Sequence, residues 1–169
     1  LVGGGDALTQ FTIQGFNSLR IYDNNFCKSF DKNRKGLNLG EAAGYIILEN
    51  ENSRKITKNE RIASILGWGH ANDAYHQTAS SPEGEGAYKA MKLALKEARL
   101  SKKDIDYINA HGTSTPINDV NESYAIEDVF GEHPVLVSST KGATGHLLQL
   151  NLDVFQAYHR RRRARAPHC

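Results

Sequence analysis

Short apolar runs that alternate with amphipathic helix patterns constrain the fold of this chain more than any other feature. Ile105–Ala110 has the alternating-to-buried pattern of a strand, and Val135–Ser138 predicts a short strand. Between them, apolar residues at helical spacing predict a helix over residues 119–130. Alanines, Met91 and Leu95 predict a second helix over residues 87–98. Strands that alternate with helices indicate an α/β architecture.

The remaining segments are less regular. Gly3–Asp6 predicts a tight turn, because glycine adopts unusual backbone angles cheaply. Residues 7–21 predict an irregular helix and loop, and residues 50–61 a charged connection. The apolar run Gly44–Glu49 predicts a buried strand, and Ile62–Trp68 predicts another.

Composition places the chain among globular proteins of about one domain. It has 169 residues, of which 39% are hydrophobic and 24% charged, and a formal net charge of +2. No apolar run has the length of a membrane span, and no signal-peptide pattern is present, so we expect neither a membrane partner nor secretion. The two cysteines lack the spacing of a disulfide framework or a zinc site. A cytoplasmic, reducing location is therefore the expectation.

Two loops carry the residues best suited to chemistry. Asn109–Pro116 and Ser138–His146 each follow a predicted strand and each contain a histidine among small residues. The carboxyl ends of strands are where α/β proteins usually gather catalytic groups. A single loop histidine is more often structural, but His111 and His146 occupy matching positions, and Lys141 precedes the second.

The two histidines favour stabilisation of a negative charge over metal binding. As neutral imidazoles, both can donate an N–H to one developing oxyanion. His111, His146 and Asp119 could also be imagined as metal ligands, but no short histidine–histidine or Glu-x-x-His spacing supports a metal site. We expect no metal and no cofactor.

Several segments resemble signatures of the β-ketoacyl-acyl carrier protein synthases, most closely of the elongating type called synthase II. The resemblance spans residues 1–148 in the family's order and spacing. The matching segments are Gly15–Asn17, Phe30–Gly36 with Leu39–Gly44, Asp73–Thr78, Asn109–Pro116 with Asn118, Asp119 and Glu122, and Lys141–His146.

The resemblance implies the thiolase-like fold, an α/β fold with five layers in the order α-β-α-β-α and two related halves. This chain would hold only part of it. We expect residues 1–60 to end the N-terminal half and residues 61–148 to start the C-terminal half. Residues 149–169 would be an atypical basic tail. A chain that lacks much of a two-halved core should expose apolar strand faces.

The resemblance also implies a decarboxylative Claisen condensation in fatty acid elongation. A cysteine carries the acyl chain as a thioester, and malonyl-acyl carrier protein loses carbon dioxide to become the attacking enolate. His111 and His146 would hold the enolate oxygen. Lys141 would fix His146 and a charge network that includes Asp119 or Glu122.

The same resemblance assigns substrate contacts and partners. Thr113 and Thr115 would hold the phosphopantetheine arm of acyl carrier protein, and Thr78 would line its entrance. Phe16 would border the acyl pocket, unless it is a plain core aromatic. The expected partners are acyl carrier protein, malonyl and acyl thioesters, and a second copy in a full-length homodimer.

The chain departs from the family at both ends. The resemblance implies that the nucleophilic cysteine lies upstream of residue 1, about one helix before the glycine run. Cys27 is in a loop that the family does not use for chemistry and that lacks a helix N-terminus, and Cys169 is terminal. The family's small residues after Leu148 are replaced by Gln149–Leu152, which indicates a frame-shifted or artificial tail. A helix could continue over residues 147–158. The arginines at 160–163 and 165 could contact nucleic acid, but nothing else in the chain resembles a nucleic-acid binder.

Two other functions remain open. A non-catalytic synthase-like chain-length partner would also bind acyl carrier protein, but such partners usually lose the cysteine or a histidine, and both histidines are kept here. A polyketide or polyene ketosynthase shares these motifs. By itself the fragment is expected to be inactive in condensation.

Overall fold

The computed structural model describes residues 1–77 and 79–148. Thr78, the predicted tail 149–169 and most of the predicted helix 147–158 lie outside the described residues. The strands and α-helices of the described residues are, in chain order, β1 (Val2–Asp6), α1 (Gln10–Ser18), β2 (Ala42–Ile46), α2 (Glu51–Thr57), α3 (Glu85–Ala98), β3 (Tyr107–Asn109), α4 (Pro116–Phe130), β4 (Leu136–Ser138) and α5 (Lys141–Thr144).

The N-terminal glycine run forms strand β1, so the predicted tight turn is wrong. β1 pairs antiparallel with β2, from Val2 opposite Ile46 to Asp6 opposite Ala42. A Cβ atom at Gly3 would overlap the carbonyl oxygen of Gly44 and lie 2.6 Å from the Tyr45 ring. The glycines therefore serve the close approach of two strands rather than a change of direction.

Strand β2 forms where a strand was predicted, but it is not buried. Tyr45 is 64% solvent-exposed, and Ile47, just beyond the strand, is 70% exposed. These two β-strands thus present an apolar surface to solvent, which agrees with the expectation of exposed apolar strand faces.

Helix α2 lies in the segment that was predicted to be a charged connection. The Asn50 side chain caps it by accepting a 2.9 Å hydrogen bond from the Ser53 N–H. Arg54 forms a 2.9 Å ion pair with Glu51 one turn away, and Lys58 ends the helix in a left-handed conformation. Local capping and ion pairing stabilise this helix, and none of its residues is buried. A search for apolar periodicity therefore does not predict it.

The predicted strand over residues 62–68 is wrong: the segment is irregular and lies along α3. The Trp68 N–H donates to the Glu97 carboxylate at 3.1 Å. A Cβ atom at Gly67 would lie 2.5 Å from the Ala98 nitrogen, and one at Gly69 would overlap the Ala90 carbonyl. The segment packs against a helix and has no strand partner within the described residues, so it makes no ladder.

The C-terminal part contains the predicted strand–helix–strand unit. β3 and β4 are parallel, with Tyr107 opposite Leu136 and Asn109 opposite Ser138. Helix α4 connects them, as a parallel pair requires a crossover connection. The helices predicted over 87–98 and 119–130 are confirmed as α3 and α4, and they pack on each other.

The main apolar core lies between α3, α4 and strand β3. One face of each helix and the inward side of the strand supply it, as the sequence periodicity predicts. Its buried members are Met91, Ile105, Ile108, Ala110, Ala125, Ile126, Val129 and Phe130. This core fixes β3 relative to α4, and the first histidine loop runs between those two elements.

Candidate active site

The two histidines predicted to act together lie side by side. Their loops follow the carboxyl ends of β3 and β4, which are hydrogen-bonded neighbours. The His111 and His146 ring centroids are 5.4 Å apart with the rings edge to face at 86°. Phe16 from α1 is also close, with its ring centroid 6.2 Å from that of His146. Segments far apart in the sequence thus meet at one point.

Glu122 of α4 holds the main chain of the first histidine loop. One carboxylate oxygen accepts the His111 N–H at 2.7 Å, and the other accepts the Gly112 N–H at 2.8 Å. Asn118 donates to the same carboxylate at 3.4 Å. Because both bonds go to backbone N–H groups, the carboxylate orients the loop whatever side chain residue 111 carries.

Burial governs the protonation of Glu122. The side chain is only 5% exposed, and this desolvation raises the pKa of its carboxyl above the ordinary value of 4.5. The backbone hydrogen bonds from Gly112 and His111 oppose the shift by stabilising the anion, and the nearby Asp119 carboxylate adds to it. Desolvation is the largest effect, so the net direction is upward.

The loop after His111 adopts backbone conformations that most residues avoid. Gly112 has φ +47°, and a Cβ atom there would lie 2.6 Å from the Ser139 Cβ. Ser114 has φ +66° and is fully buried, and its Oγ accepts the Lys28 N–H at 2.8 Å. Left-handed residues cost conformational energy and persist where their surroundings hold them. The turn brings the histidine loop against the neighbouring strand's loop.

Asp119 joins the start of α4 to the loop over residues 30–36. Its carboxylate accepts the Ser114 N–H at 3.0 Å and the Phe30 N–H at 2.7 Å. The Arg34 Nε lies 3.7 Å from the same carboxylate, which is 1% exposed. A buried carboxylate needs such partners, because loss of hydration is otherwise uncompensated.

Ser139 links the two histidine loops. Its hydroxyl donates to the His111 carbonyl at 3.3 Å and accepts the Lys141 N–H at 3.3 Å. Lys141 begins α5 and is buried at 5% exposure. The lysine is therefore part of the interior of the site rather than a surface charge.

The main chain of His146 is held by the segment that follows the 30–36 loop. The His146 N–H donates to the Asn38 carbonyl at 2.7 Å, and the His146 carbonyl accepts the Gly40 N–H at 3.1 Å. Gly145, with φ +72°, allows this approach, since a Cβ there would lie 2.8 Å from the Gly40 nitrogen. Hydrogen bonds thus fix the backbone of His146, as Glu122 fixes the backbone of His111.

Thr113 and Thr115 also come together. Their hydroxyl oxygens are 2.9 Å apart, within hydrogen-bonding distance. Thr78, the third threonine predicted to contact substrate, lies outside the described residues.

Family models match both parts of the chain. The model described as "Beta-ketoacyl synthase, N-terminal domain" matches residues 1–54, and "Beta-ketoacyl synthase, C-terminal domain" matches residues 62–149. The chain belongs to the β-ketoacyl synthase family.

Curated relatives in this family carry the same name. The chain is 43% identical to 3-oxoacyl-[acyl-carrier-protein] synthase 2 of Staphylococcus aureus, over 88% of this chain and 39% of the relative. It is 41% identical to the protein of the same name in Synechocystis sp., over 88% of this chain and 38% of that protein. The chain therefore spans about two fifths of the length of these relatives.

The similarity to solved structures shows that this chain has the thiolase-like α/β fold and forms part of it. A β-ketoacyl synthase from Burkholderia phymatum matches with a TM-score of 0.81 and 33% identity, covering 92% of this chain and 37% of that one. The ishigamide ketosynthase/chain length factor matches with a TM-score of 0.80 and 35% identity, over 92% and 36% of the two chains.

Cys27 of this β-ketoacyl synthase chain is a buried loop residue. Its N–H donates to the Asn38 Oδ1 at 2.6 Å, and its Sγ lies 3.9 Å from the Ser29 hydroxyl. Its carbonyl would contact a Cβ at Gly142 at 3.3 Å. These contacts describe a packed residue that supports the base of α5.

Several residues that build the site were not singled out in the sequence. Ser139, Asn38 and Ser29 hold loop backbones, with the Ser29 hydroxyl donating to the Gly112 carbonyl. Arg34 was noticed only as part of a signature. Their partners are remote in sequence, so the signal that could have found them is their position next to the matched segments. Ser29, Asn38 and Ser139 lie within two residues of the starts of those segments.

Within residues 1–77 and 79–148, no helix is long and apolar enough to cross a membrane. The same residues contain no group of three metal-ligating side chains arranged to hold an ion.

Proposed function

We propose that this chain supplies the enolate-stabilising part of a 3-oxoacyl-[acyl-carrier-protein] synthase that elongates fatty acids by decarboxylative Claisen condensation. The 5.4 Å edge-to-face pair of His111 and His146 is the observation that carries the proposal. Two imidazoles at this separation can direct N–H donors at one oxygen atom. The identity to synthases of this name supports the same reaction.

In the proposed reaction, the bond between the malonyl carboxylate and its α-carbon breaks and carbon dioxide leaves. The electron pair moves toward the thioester carbonyl, whose oxygen becomes an enolate. His111 and His146 each donate a hydrogen bond to this oxygen and lower the energy of the charge that develops there. The α-carbon then attacks the acyl-cysteine carbonyl, and the cysteine thiolate departs. That cysteine would come from outside this chain.

Lys141, Glu122 and Asp119 are proposed to support the histidines rather than to react. Lys141 would supply a buried positive charge beside His146 and keep the local charge balance. Glu122 holds the His111 and Gly112 backbone, and Asp119 holds that of Ser114. Donors that are already held in place need not reorganise when the enolate forms, so these supporting residues would lower the energy of that step.

Thr113 and Thr115 are proposed to bind the phosphopantetheine arm of acyl carrier protein, with Thr78 at its entrance. Their paired hydroxyls lie on the His111 loop itself, where an extended arm would deliver a thioester to the histidines. Phe16 would border the acyl pocket through its position beside His146. A structural neighbour with a TM-score of 0.78 is titled a type II polyketide synthase acyl-carrier protein in complex with its ketosynthase. We propose a cytoplasmic homodimer as the working form.

A second candidate is a ketosynthase or chain-length partner of polyketide or polyene synthesis. The titles of two structural neighbours, at 35% and 36% identity, name a ketosynthase with its chain length factor. The retained histidine pair favours a catalytic chain over a non-catalytic partner.

The test replaces the matching region of the Staphylococcus aureus synthase 2 with residues 1–148 and assays malonyl-acyl carrier protein with an acyl carrier protein thioester. We expect carbon dioxide release and a product longer by two carbons. His111→Ala and His146→Ala should each lower the decarboxylation rate about 100-fold or more, as loss of an oxyanion donor does. A folded chimera that binds carrier protein without releasing carbon dioxide would instead identify a non-catalytic partner.

A further inference from the structure

We propose that Arg34 is a positioning residue that keeps the Thr113 and Thr115 hydroxyls paired and available to the carrier arm. The inference rests on the proposed role of these threonines in binding that arm. It concerns a residue in the loop over 30–36, far from the threonines in sequence but in contact with the backbone of Thr115.

The starting observation is that Thr115 occupies the N-cap position of α4 without capping it. Its backbone is extended, with φ −75° and ψ 145°, yet its side chain accepts no hydrogen bond from the helix. The hydroxyl lies instead 2.9 Å from that of Thr113. Threonine at this position normally satisfies a helix N–H and stabilises the helix. Here the hydroxyl pairs with Thr113 and not with a helix N–H, so the position of the Thr115 backbone depends on other contacts.

Arg34 holds the Thr115 backbone from outside the helix, through carbonyl groups and not as a cap. Its Nε donates to the Thr115 carbonyl at 3.3 Å, and its Nη2 donates to the Pro116 carbonyl at 2.9 Å. Its Nη1 donates to the Asp31 carbonyl at 3.0 Å, which ties the guanidinium to its own loop. Three donors on one planar group therefore fix the N-cap and first helical residue against the 30–36 loop.

The same guanidinium lies next to the buried Asp119 carboxylate. The 3.7 Å separation between Arg34 Nε and that carboxylate provides a positive charge for a group with almost no solvent. Asp119 in turn accepts the Ser114 N–H between the two threonines. Arg34 thus restrains the segment from both sides, through the Thr115 carbonyl and through the carboxylate that holds Ser114.

Lysine cannot replace this arrangement. It would keep a positive charge near Asp119, but a single ammonium cannot reproduce the planar fork that reaches two adjacent carbonyls. Arg34→Lys therefore keeps the positive charge near Asp119 and removes the hydrogen bonds to the two carbonyls. Lys35→Gln, at the adjacent exposed position, is the matched control for a change of surface charge in the same loop.

The experiment uses the full 169-residue chain with pantetheine as the probe. Nuclear magnetic resonance follows both the pantetheine titration and the Thr113 and Thr115 methyl signals, and urea unfolding is measured in parallel. We expect Arg34→Lys to weaken pantetheine binding roughly fivefold to tenfold, the effect of losing one or two hydrogen bonds. The two methyl signals should shift, while Lys35→Gln changes neither. Millimolar guanidinium, but not sodium, should restore binding to Arg34→Ala.

The proposal is overturned if Arg34→Lys leaves both methyl signals and pantetheine affinity at the parent values. It is also overturned if binding and urea midpoint fall together and guanidinium restores neither, which would mark a purely structural residue. The role of the threonines is judged separately with Thr113→Val and Thr115→Val. If those variants bind pantetheine as the parent does, or the parent does not bind it, the arm-binding role fails. The methyl signals then still decide whether Arg34 positions the pair.

Discussion

Replacement of Gly112 by alanine tests whether the left-handed turn after His111 is essential to the fold of the site. The residue has φ +47°, and the new Cβ would meet the Ser139 Cβ at 2.6 Å and the Phe30 ring at 3.0 Å. Neither neighbour can move easily. Ser139 bonds the His111 carbonyl and the Lys141 N–H, and the Phe30 backbone is tied to Asp119.

The expected loss of stability follows from two separate effects. A non-glycine residue in the left-handed region costs about 1–2 kcal/mol. Forcing an additional methyl group into a packed site costs about 1–3 kcal/mol more. Gly112→Ala should therefore lower the free energy of unfolding by about 2–5 kcal/mol, measured by urea denaturation followed by circular dichroism.

Gly15→Ala is the matched control. Gly15 lies within α1, and nothing comes within 4 Å of the Cβ that alanine would add. Alanine is the better helix former, so this variant should be about 0.5–1 kcal/mol more stable than the parent. If Gly112→Ala unfolds at the same urea concentration as the parent, while Gly15→Ala is stabilised, then the turn does not constrain residue 112 and the reasoning is wrong.

Three further predictions concern the pKa of Glu122, the packing of Met91 and the activity of the isolated chain. Burial raises the pKa of Glu122, so the folded chain binds its proton more tightly than the unfolded chain. Stability should therefore fall as pH rises from the ordinary value of 4.5 through the folded pKa, and Glu122→Gln should flatten that slope in urea titrations at successive pH values. Met91→Ala should lower the free energy of unfolding by about 2–5 kcal/mol, whereas Met91→Leu should cost less than about 1.5 kcal/mol, with urea midpoints as the measure. The isolated chain should form no elongated product from malonyl and acyl carrier protein thioesters, and turnover comparable to a complete synthase would contradict this.

The helices and the strand–helix–strand unit could be predicted because their signals are local and periodic. Helix α3 repeats its apolar residues at helical spacing, and Met91 and Ala94 are buried as that spacing requires. The wrong predictions concern segments whose structure depends on a distant neighbour. Gly3 and Gly67 are glycines of close backbone approach, which look like turn residues until the neighbouring strand or helix is known.

The proximity of the two histidines was predictable from the sequence, whereas several residues that hold their loops were not. His111 and His146 follow strands that pair, so their proximity follows from topology once the two strands are recognised. Arg34, Asn38 and Ser139 act on backbone atoms of distant segments, and a backbone acceptor leaves no mark in the sequence. Such contacts depend on the complete path of the chain, which periodicity does not specify.

The way the histidine loops are held bears on how their variants will be interpreted. Glu122 contacts the backbone of His111, and the Asn38 carbonyl and Gly40 N–H contact the backbone of His146. Substitution of either imidazole leaves these bonds in place, because none of them ends on the ring. A loss of decarboxylation in His111→Ala or His146→Ala, with the backbone bonds of both loops kept, would then report the missing donor. Glu122→Gln tests the loop position instead, because the amide NH2 would face one of the two N–H groups that the carboxylate oxygens accept. It should move the first loop while leaving both imidazoles present.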